Sequence, residues 1–369
     1  MKRLKVLAVA DPAVQSVVSE VEIIKSFERS TGIEIAMDVL PWAEYYASLM
    51  ASFESYQYDV VMVAGHLWLY DFVKNGHIKA VDGHSESYDY SDILETIRHE
   101  IELDGKHYLY PFFCDGHMLL YRKSHFGDLP NVVSMKELCK LVEGLDPESQ
   151  PFVQKAHASE IFQDVLPYFR SEGVEPFDES GVHIGSPEAV KALEQYIALK
   201  PYCDLEVANF GNEEVLDQIQ TGKCQIGITW SGQIGQVMNE NCVEPEDIGF
   251  ASLDASWNVS WCFGINKYCQ DDASAKAFLE YITGKSVDKR VGYYCGNPVR
   301  QSTFDADSKD NTWYEKVLAM VNSAKPVAKS DKTGNMMGII AQAVHDAYTG
   351  KVGAKEALQR AEKQCMELE

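Results

Sequence analysis

Leu4-Lys5-Val6-Leu7-Ala8-Val9-Ala10-Asp11-Pro12 is an apolar run interrupted only by Lys5 and stopped by a turn pair, the pattern of a buried parallel strand. From Val14 the apolar positions Val17, Val18, Val21, Ile24 and Phe27 recur at three- and four-residue steps. Thr31-Gly32 ends them, which predicts one amphipathic helix with a glycine stop. Ile33 to Leu40 alternates as a second strand, Trp42 to Phe53 reads as a helix, and Tyr58-Asp59-Val60-Val61-Met62-Val63-Ala64-Gly65 as a third buried strand. Strands alternating with helices in this way predict a parallel α/β sheet. Ligands of such sheets collect beyond the carboxyl ends of the strands. Here those ends open the loops at Asp11, Pro41 and Gly65, which carry Trp42, His66 and Trp68.

Further along, Gly105 to Pro111 leads into an extended apolar stretch, Phe112 to Arg122, read as a first crossing between two lobes. Pro130 to Leu145 reads as helical. Residues 150 to 260 repeat the helix and strand alternation, with Ser186-Pro187-Glu188 as a helix start. Gln225 to Trp230 is a strand that ends at Trp230-Ser231-Gly232, and Trp257 to Ile265 reads as a crossing back. A helix from Ala273 to Thr283, an irregular stretch from Gly292 to Gln301 and helices at Trp313–Ser323 and Gly338–Tyr348 complete the chain. No repeat or low-complexity tract interrupts it.

Composition narrows the function. The 369 residues are 46% hydrophobic and 24% charged, a globular balance in a chain too long for one core, so two lobes are expected. A net charge of −23 repels phosphate backbones and anionic lipid surfaces, which argues against nucleic acid and membrane as partners. Nine cysteines are widely spaced, odd in number and free of any C-x-x-C pair, so zinc and dithiol chemistry are not indicated. Several lie in apolar runs as buried thiols would, which points toward a reducing compartment. The run before Asp11 is too short for a signal-peptide core. The expectation is therefore a cytoplasmic chain if Met1 is the native start, or an exported one whose signal has been removed.

Several segments carry a resemblance, in a consistent order. They are Phe27-Glu28-Arg29-Ser30-Thr31-Gly32-Ile33, Tyr58-Asp59-Val60-Val61, Asp104-Gly105-Lys106-His107-Tyr108 with Tyr110-Pro111, and Leu120-Tyr121-Arg122-Lys123. Gly222 to Ile228, Gly296-Asn297-Pro298-Val299-Arg300 and Gly350 to Leu358 follow. Together the chain resembles the family 1 extracellular solute-binding proteins, sugar-binding subunits of ABC importers related to the maltose-binding protein. The resemblance implies a two-lobed α/β clamshell of the periplasmic-binding-protein kind, each lobe a mainly parallel sheet flanked by helices and joined by hinge strands. On that basis residues 1–111 with about 262–305 form one lobe and about 116–257 with 306–369 the other. Hinge crossings are expected near 112–115, 258–261 and 302–310. Members are normally exported or lipid-anchored, so the resemblance implies an extracytoplasmic location.

A sugar presents hydroxyls and apolar C–H faces, so its site needs aromatic platforms beside polar side chains. The candidate platforms are Trp42, Trp68, Phe113, Trp230, Trp257 and Trp261. The candidate polar groups are Asp11, Glu44, His66, Asp115, Ser231 and Arg300, with the backbone at Gly65. The expected function is non-catalytic binding of a mono- or oligosaccharide between the lobes by a monomer, for delivery to ABC transporter membrane subunits. No cofactor, metal or enzyme activity is expected, because no catalytic motif is present and pairs such as His99-Glu100 or His66 and His77 lack further ligands. Two alternatives stand beside it. Tyr293-Tyr294 resembles the iron-holding pair of ferric-ion-binding proteins, and a cytoplasmic ligand sensor of the same fold would account for the thiols. Arg300 keeps an amino acid or an anionic sugar open as ligand.

Overall fold

The computed structural model describes residues 2–295 and 297–368, with the side chains of Ala43 and Cys295 left aside. Met1, Gly296 of the quoted Gly296-Asn297-Pro298 turn and the Cys295 side chain thus lie outside the described residues. The strands used below are β1 (Lys2–Val9), β2 (Ile33–Leu40), β3 (Val60–Ala64), β4 (Leu109–Asp115) and β5 (His117–Arg122). They continue with β6 (Val132–Val133), β7 (Phe152–Val153), β8 (Ile226–Trp230), β9 (Ile248–Leu253) and β10 (Val259–Ile265). The chain divides into two compact units, Met1–Asp115 with Val259–Tyr314 and Gly116–Asn258 with Glu315–Glu369.

The first unit is built on a sheet of order β2-β1-β3-β10-β4. β1 pairs in parallel with β2 along its whole length, from Lys2 opposite Ile33 to Val9 opposite Leu40, and with β3 on its other side. Val6, Leu7 and Ala8 are fully buried, as are all of Val60 to Ala64, because helices cover both faces of a parallel sheet. Asp59 sets the register: its buried carboxylate accepts the Lys5 amide at 2.9 Å and the Tyr56 hydroxyl at 3.0 Å. Its own backbone takes part on both sides, donating to Lys5 and accepting from Asn266.

The sheets are mixed, where sequence alone predicts mainly parallel ones. β10 runs antiparallel to both β3 and β4, and in the second unit, of order β6-β9-β5-β8-β7, β5 runs against β9 and β8. The cause is where the chain exits. It leaves the first unit at Asp115, the end of β4, and returns at Val259, the residue opposite Asp115. A strand that re-enters at the edge from which its neighbour left has to run the other way. The stretch Phe112 to Arg122 is accordingly two strands in two sheets, with Gly116 between them. The last exchange falls between Tyr314 and Glu315, past the 302–310 segment expected. Thr303 and Asp307 hold that segment in the first unit, by a Thr303 hydroxyl bond to Asp288 at 2.5 Å and a Lys289 ion pair at 2.7 Å.

Two helical expectations are corrected. The single helix after β1 is two, α1 (Pro12–Val18) and α2 (Val21–Thr31). Arg290 Nε donates to the Ser16 carbonyl at 2.8 Å, occupying the acceptor that Glu20 would need to continue the ladder. The stretch from Gly292, read as irregular, continues the helix Lys285–Cys295. Gly292 serves close packing there: a Cβ on it would meet the Tyr314 hydroxyl at 2.3 Å. The remaining reading at Ser186 holds, since its hydroxyl accepts the Ala189 amide at 3.2 Å and Pro187 opens the helix Pro187–Ala198.

Asp11 caps α1 by accepting the Ala13 amide at 2.8 Å. Burial, more than that bond or the charge of Asp115, decides its titration and pushes its pKa from 3.8 up to about 7. The folded state therefore holds the proton more tightly than the unfolded chain, and stability falls as pH rises from about 4 to about 7. Asp11→Asn keeps a capping side chain and removes this cost. Urea titrations are expected to show the variant more stable than the wild type by up to about 2 kcal/mol near pH 8, and no more stable near pH 4. Gly116→Ala probes the passage residue: its Cβ would lie 2.9 Å from the Trp257 carbonyl and 2.2 Å from Met320 Sδ. A loss of about 1–3 kcal/mol is expected in the same titration.

Candidate functional site

Parallel strands deliver their carboxyl ends to one edge of the sheet. In the first unit β1 ends into Asp11, β2 into the helix α3 (Trp42–Ser52), and β3 into α4 (Gly65–Lys74). β4 ends at Asp115, and β10 begins at the same edge, bringing Trp261. An extra residue, Phe112, bulges β4 between the partners of Trp261 and Cys262; such bulges re-aim the side chains beside them.

The rings meet in one cluster. Trp42 stacks on Trp68 with centroids 6.0 Å apart and planes 6° from parallel, and the Trp261 ring stands edge-on to both at 5.8 Å. Tyr45 and Tyr46, which the sequence reading did not single out, pack on Trp68. Tyr45 is locked in place by a hydroxyl bond to the Met62 carbonyl. Phe113 lies buried behind Trp261, 6.4 Å away and 26° from parallel. His66, 7% exposed, sets its ring edge-on to Trp261 and faces the Ser260 carbonyl through Nδ1 at 3.3 Å. Trp42 keeps 52% of its surface exposed, an indole held rigidly with a face free. Glu44 is exposed on the first turn of α3, and Asp11 and Asp115 are close enough for the charge of one to raise the pKa of the other. Gly65 opens α4 against Leu109, Cys262 and the Ser260 carbonyl, a close approach that leaves little room for a side chain.

The second unit has its own group around Trp230, at the end of β8. His117, its partner across the β5–β8 ladder, stacks on it at 4.5 Å and 28°. The Lys155 ammonium, fully buried, lies 4.1 Å from the ring centroid. It stands 3.4 Å from Asp164 and 3.6 Å from Glu160. Burial holds the His117 imidazole well below its usual range, with Lys155 and Arg170 adding to the effect, and it raises Asp164 to about 7 despite Lys155. Ser231 is buried and donates its amide to the Gly116 carbonyl at 2.8 Å. His117 at the start of β5, Lys155 in a loop and Asp164 in the first turn of a helix escaped the sequence reading because isolated charged and histidine residues look solvated; no local pattern marks them.

Two candidate site residues belong to the interior instead. Arg300 is fully buried: it donates to the Thr283 carbonyl at 3.0 and 3.2 Å and to the Asp89 carbonyl at 3.1 Å, and faces Asp92 at 3.6 Å. Its fork is consumed in tying loops together, so it offers no guanidinium for a ligand carboxylate. Trp257 is 0% exposed and packs edge-on to Phe162 in the core of the second unit.

Tyr293 and Tyr294 are adjacent on a helix, with ring planes 81° apart, and line an open groove of about 850 Å³ on the first unit. The Arg290 guanidinium lies 4.6 Å from the Tyr294 ring, a cation where a ferric ion would need the charge reversed. Among the described residues no group of three or more His, Cys, Asp or Glu side chains is arranged to hold a metal ion. Of the pairs weighed from sequence, His99 faces Glu95 at 3.6 Å on the surface, Glu100 accepts the Ser260 hydroxyl, and His77 stacks on Phe53 at 4.4 Å. No helix of the described residues is long and apolar enough to cross a membrane.

Comparison with known proteins agrees with the architecture. Maltose-bound MalE3 of Thermotoga maritima superposes with a TM-score of 0.87 at 18% identity, over 100% of both chains. An ABC transporter solute-binding protein of Agrobacterium vitis, solved with D-mannitol, gives 0.85 at 22%, over 100% of this chain and 98% of that one. These likenesses show the fold, the two-lobed α/β fold of solute-binding proteins. The mannitol-binding protein of Pseudomonas aeruginosa is 25% identical over 235 residues, 58% of this chain and 54% of its own length. The chain spans about half the length of the curated relatives it matches. Residues 9–289 match the family described as bacterial extracellular solute-binding protein. With more than half of its length matched in this way and the fold in agreement, the chain belongs to the bacterial extracellular solute-binding protein family.

Proposed function

We propose that this chain captures a neutral sugar or polyol outside the cytoplasmic membrane and hands it, as a monomer and without covalent chemistry, to the membrane subunits of an ABC importer. The observation that carries the reading is the exposed Trp42 indole, braced by Trp68 and Trp261 at the sheet edge where the chain also places Asp11, Glu44 and Asp115. An indole face receives the C–H surface of a polyhydroxy compound, and carboxylates accept its hydroxyls. The same carboxylates, in a chain of net charge −23, oppose an anionic ligand. The mannitol and maltose named for the relatives above fit this chemistry.

A second reading is favoured by the thiols. Of the eight cysteines described with side chains, six are buried in the manner of small apolar residues, which suits a reducing compartment and a ligand sensor of the same fold. Affinity capture from membranes of the native host separates the two: co-purification of ABC permease subunits supports import, and their absence with a soluble partner recovered supports the sensor.

A thermal-shift panel of D-mannitol, maltose, neutral amino acids and ferric citrate tests the ligand class. A polyol or sugar at about 100 times its Kd is expected to add about 2.7 kcal/mol of stability. A shift with ferric citrate or an amino acid alone would overturn the reading. Trp42→Ala is expected to weaken binding of the same ligand about tenfold or more while changing the unliganded melting temperature little, because the ring is half exposed.

A further inference from the structure

The groove of about 850 Å³ beside Tyr293 and Tyr294 takes no part in the proposed ligand site. It runs between the start of α2, the helix Lys285–Cys295 and the turn at Asp307 to Asn311, and all of its lining residues belong to the first unit. Its walls are braced from within. Tyr281 packs on Phe27 at 5.2 Å and donates its hydroxyl to the Ile23 carbonyl at 2.9 Å. Arg290 ties one wall to the end of α1 through the Ser16 carbonyl. A shape fixed in this way before a partner arrives lowers the cost of binding.

The residues around it have the composition of a protein-binding surface. Tyrosine and arginine are enriched where proteins bind proteins. Tyr293 is 64% exposed, and Val21, next in the chain to the groove residue Glu20, is 60% exposed. Among the large apolar side chains of the described residues only Leu205 is more exposed than these two. Val18, on the other side of Glu20, and Tyr294 are exposed as well, and apolar side chains gathered at a surface mark an interaction site. A small molecule needs a concave site that encloses most of it. An open groove does not provide that, whereas a peptide segment laid along it needs only one face covered.

Charge selects the partner. Within the groove Glu22 holds Arg29 at 2.7 Å, Asp307 holds Lys289 at 2.7 Å and Glu20 faces Arg290 at 3.5 Å. Each cation there already has its carboxylate. Asp310 is a fourth carboxylate, with no ion pair among the described residues. The local surplus is negative, in a chain of net charge −23, so anionic lipid and acidic segments are repelled and a basic segment is drawn in.

We propose that this groove docks a basic segment of the importer's membrane subunits, on their extracytoplasmic side, with an aliphatic side chain against Tyr293 and Val21 and a lysine or arginine at Asp310. The inference rests on the proposed delivery to an ABC importer and names the surface of the handover.

The test supplies the purified full chain to spheroplasts of the native host deleted for it and measures uptake of carbon-14 D-mannitol and maltose, with calorimetric titration of the same two ligands alongside. Val21→Ser/Tyr293→Ser changes only exposed side chains, so it is expected to bind ligand and to melt as wild type does. Its half-saturating concentration for uptake is expected to rise about tenfold or more. Asp310→Lys is expected to raise it too, and added salt to raise that of wild type. Tyr293→p-benzoylphenylalanine, illuminated on the spheroplasts, is expected to cross-link to a lysine- or arginine-bearing peptide of a permease subunit, identified by mass spectrometry. If wild type binds neither D-mannitol nor maltose, the proposed function fails and the docking with it. Binding without any uptake overturns delivery, and again the docking. If wild type binds and drives uptake, but Val21→Ser/Tyr293→Ser half-saturates at the same concentration or the cross-link goes only to lipid or to a second copy of the chain, the groove alone is overturned.

Discussion

Parallel pairing of three strands, β2, β1 and β3, is the constraint from which the first unit follows. A parallel sheet buries both faces, so its strands are written as nearly continuous apolar runs, and all its carboxyl ends emerge at one edge. Asp59 makes the pairing specific by holding the Lys5 amide with a buried carboxylate. A slip by one residue would lose that bond and turn the Val60 to Ala64 side chains over. Everything placed at the sheet edge, the Asp11 cap, the α3 aromatics and His66 at the head of α4, inherits its position from this register.

The edge then gains what the parallel strands cannot provide. β10 enters between β3 and β4 in the opposite sense and places Trp261 against Trp42 and Trp68. A rigid aromatic wall costs little entropy on ligand binding, because its rings are already fixed by one another. Asp11, at the same sheet edge, is held at the margin of burial, as its raised pKa records. The second unit uses a different balance: one indole, and charges drawn inward beneath it instead of left at the surface.

Much of this was legible in the sequence. The strands β1 and β3 are visible as apolar runs with turn stops and β2 as an alternating stretch, and the edge residues follow from where these segments end. Trp42, Trp68 and Trp261 cluster as the strand-end logic implies. The failures share a cause in long-range contacts. Arg300 and Trp257 lie beside plausible site positions in the sequence, yet carbonyls from distant loops and Phe162 draw them into the interior. The break between α1 and α2 depends on Arg290, some 270 residues away. A mixed sheet cannot be told from a parallel one by apolar runs alone. Lys155 is the hardest case, because a lysine buried without close hydrogen bonds contravenes the expectation that the residue type sets.

The position of β10 bears on how the chain is made. β3 and β4 do not touch; β10 separates them, and it is synthesised more than 140 residues after β4 ends. Until it emerges from the ribosome, the N-terminal segment presents β3 as a bare, wholly apolar strand edge, the kind of surface that recruits other strands. The intervening segment, Gly116–Asn258, has a sheet of its own and can close first. Biogenesis of the first unit is thus a matter of waiting for its missing strand, and any factor that shields the β3 edge in the interval would govern yield more than the final stability does.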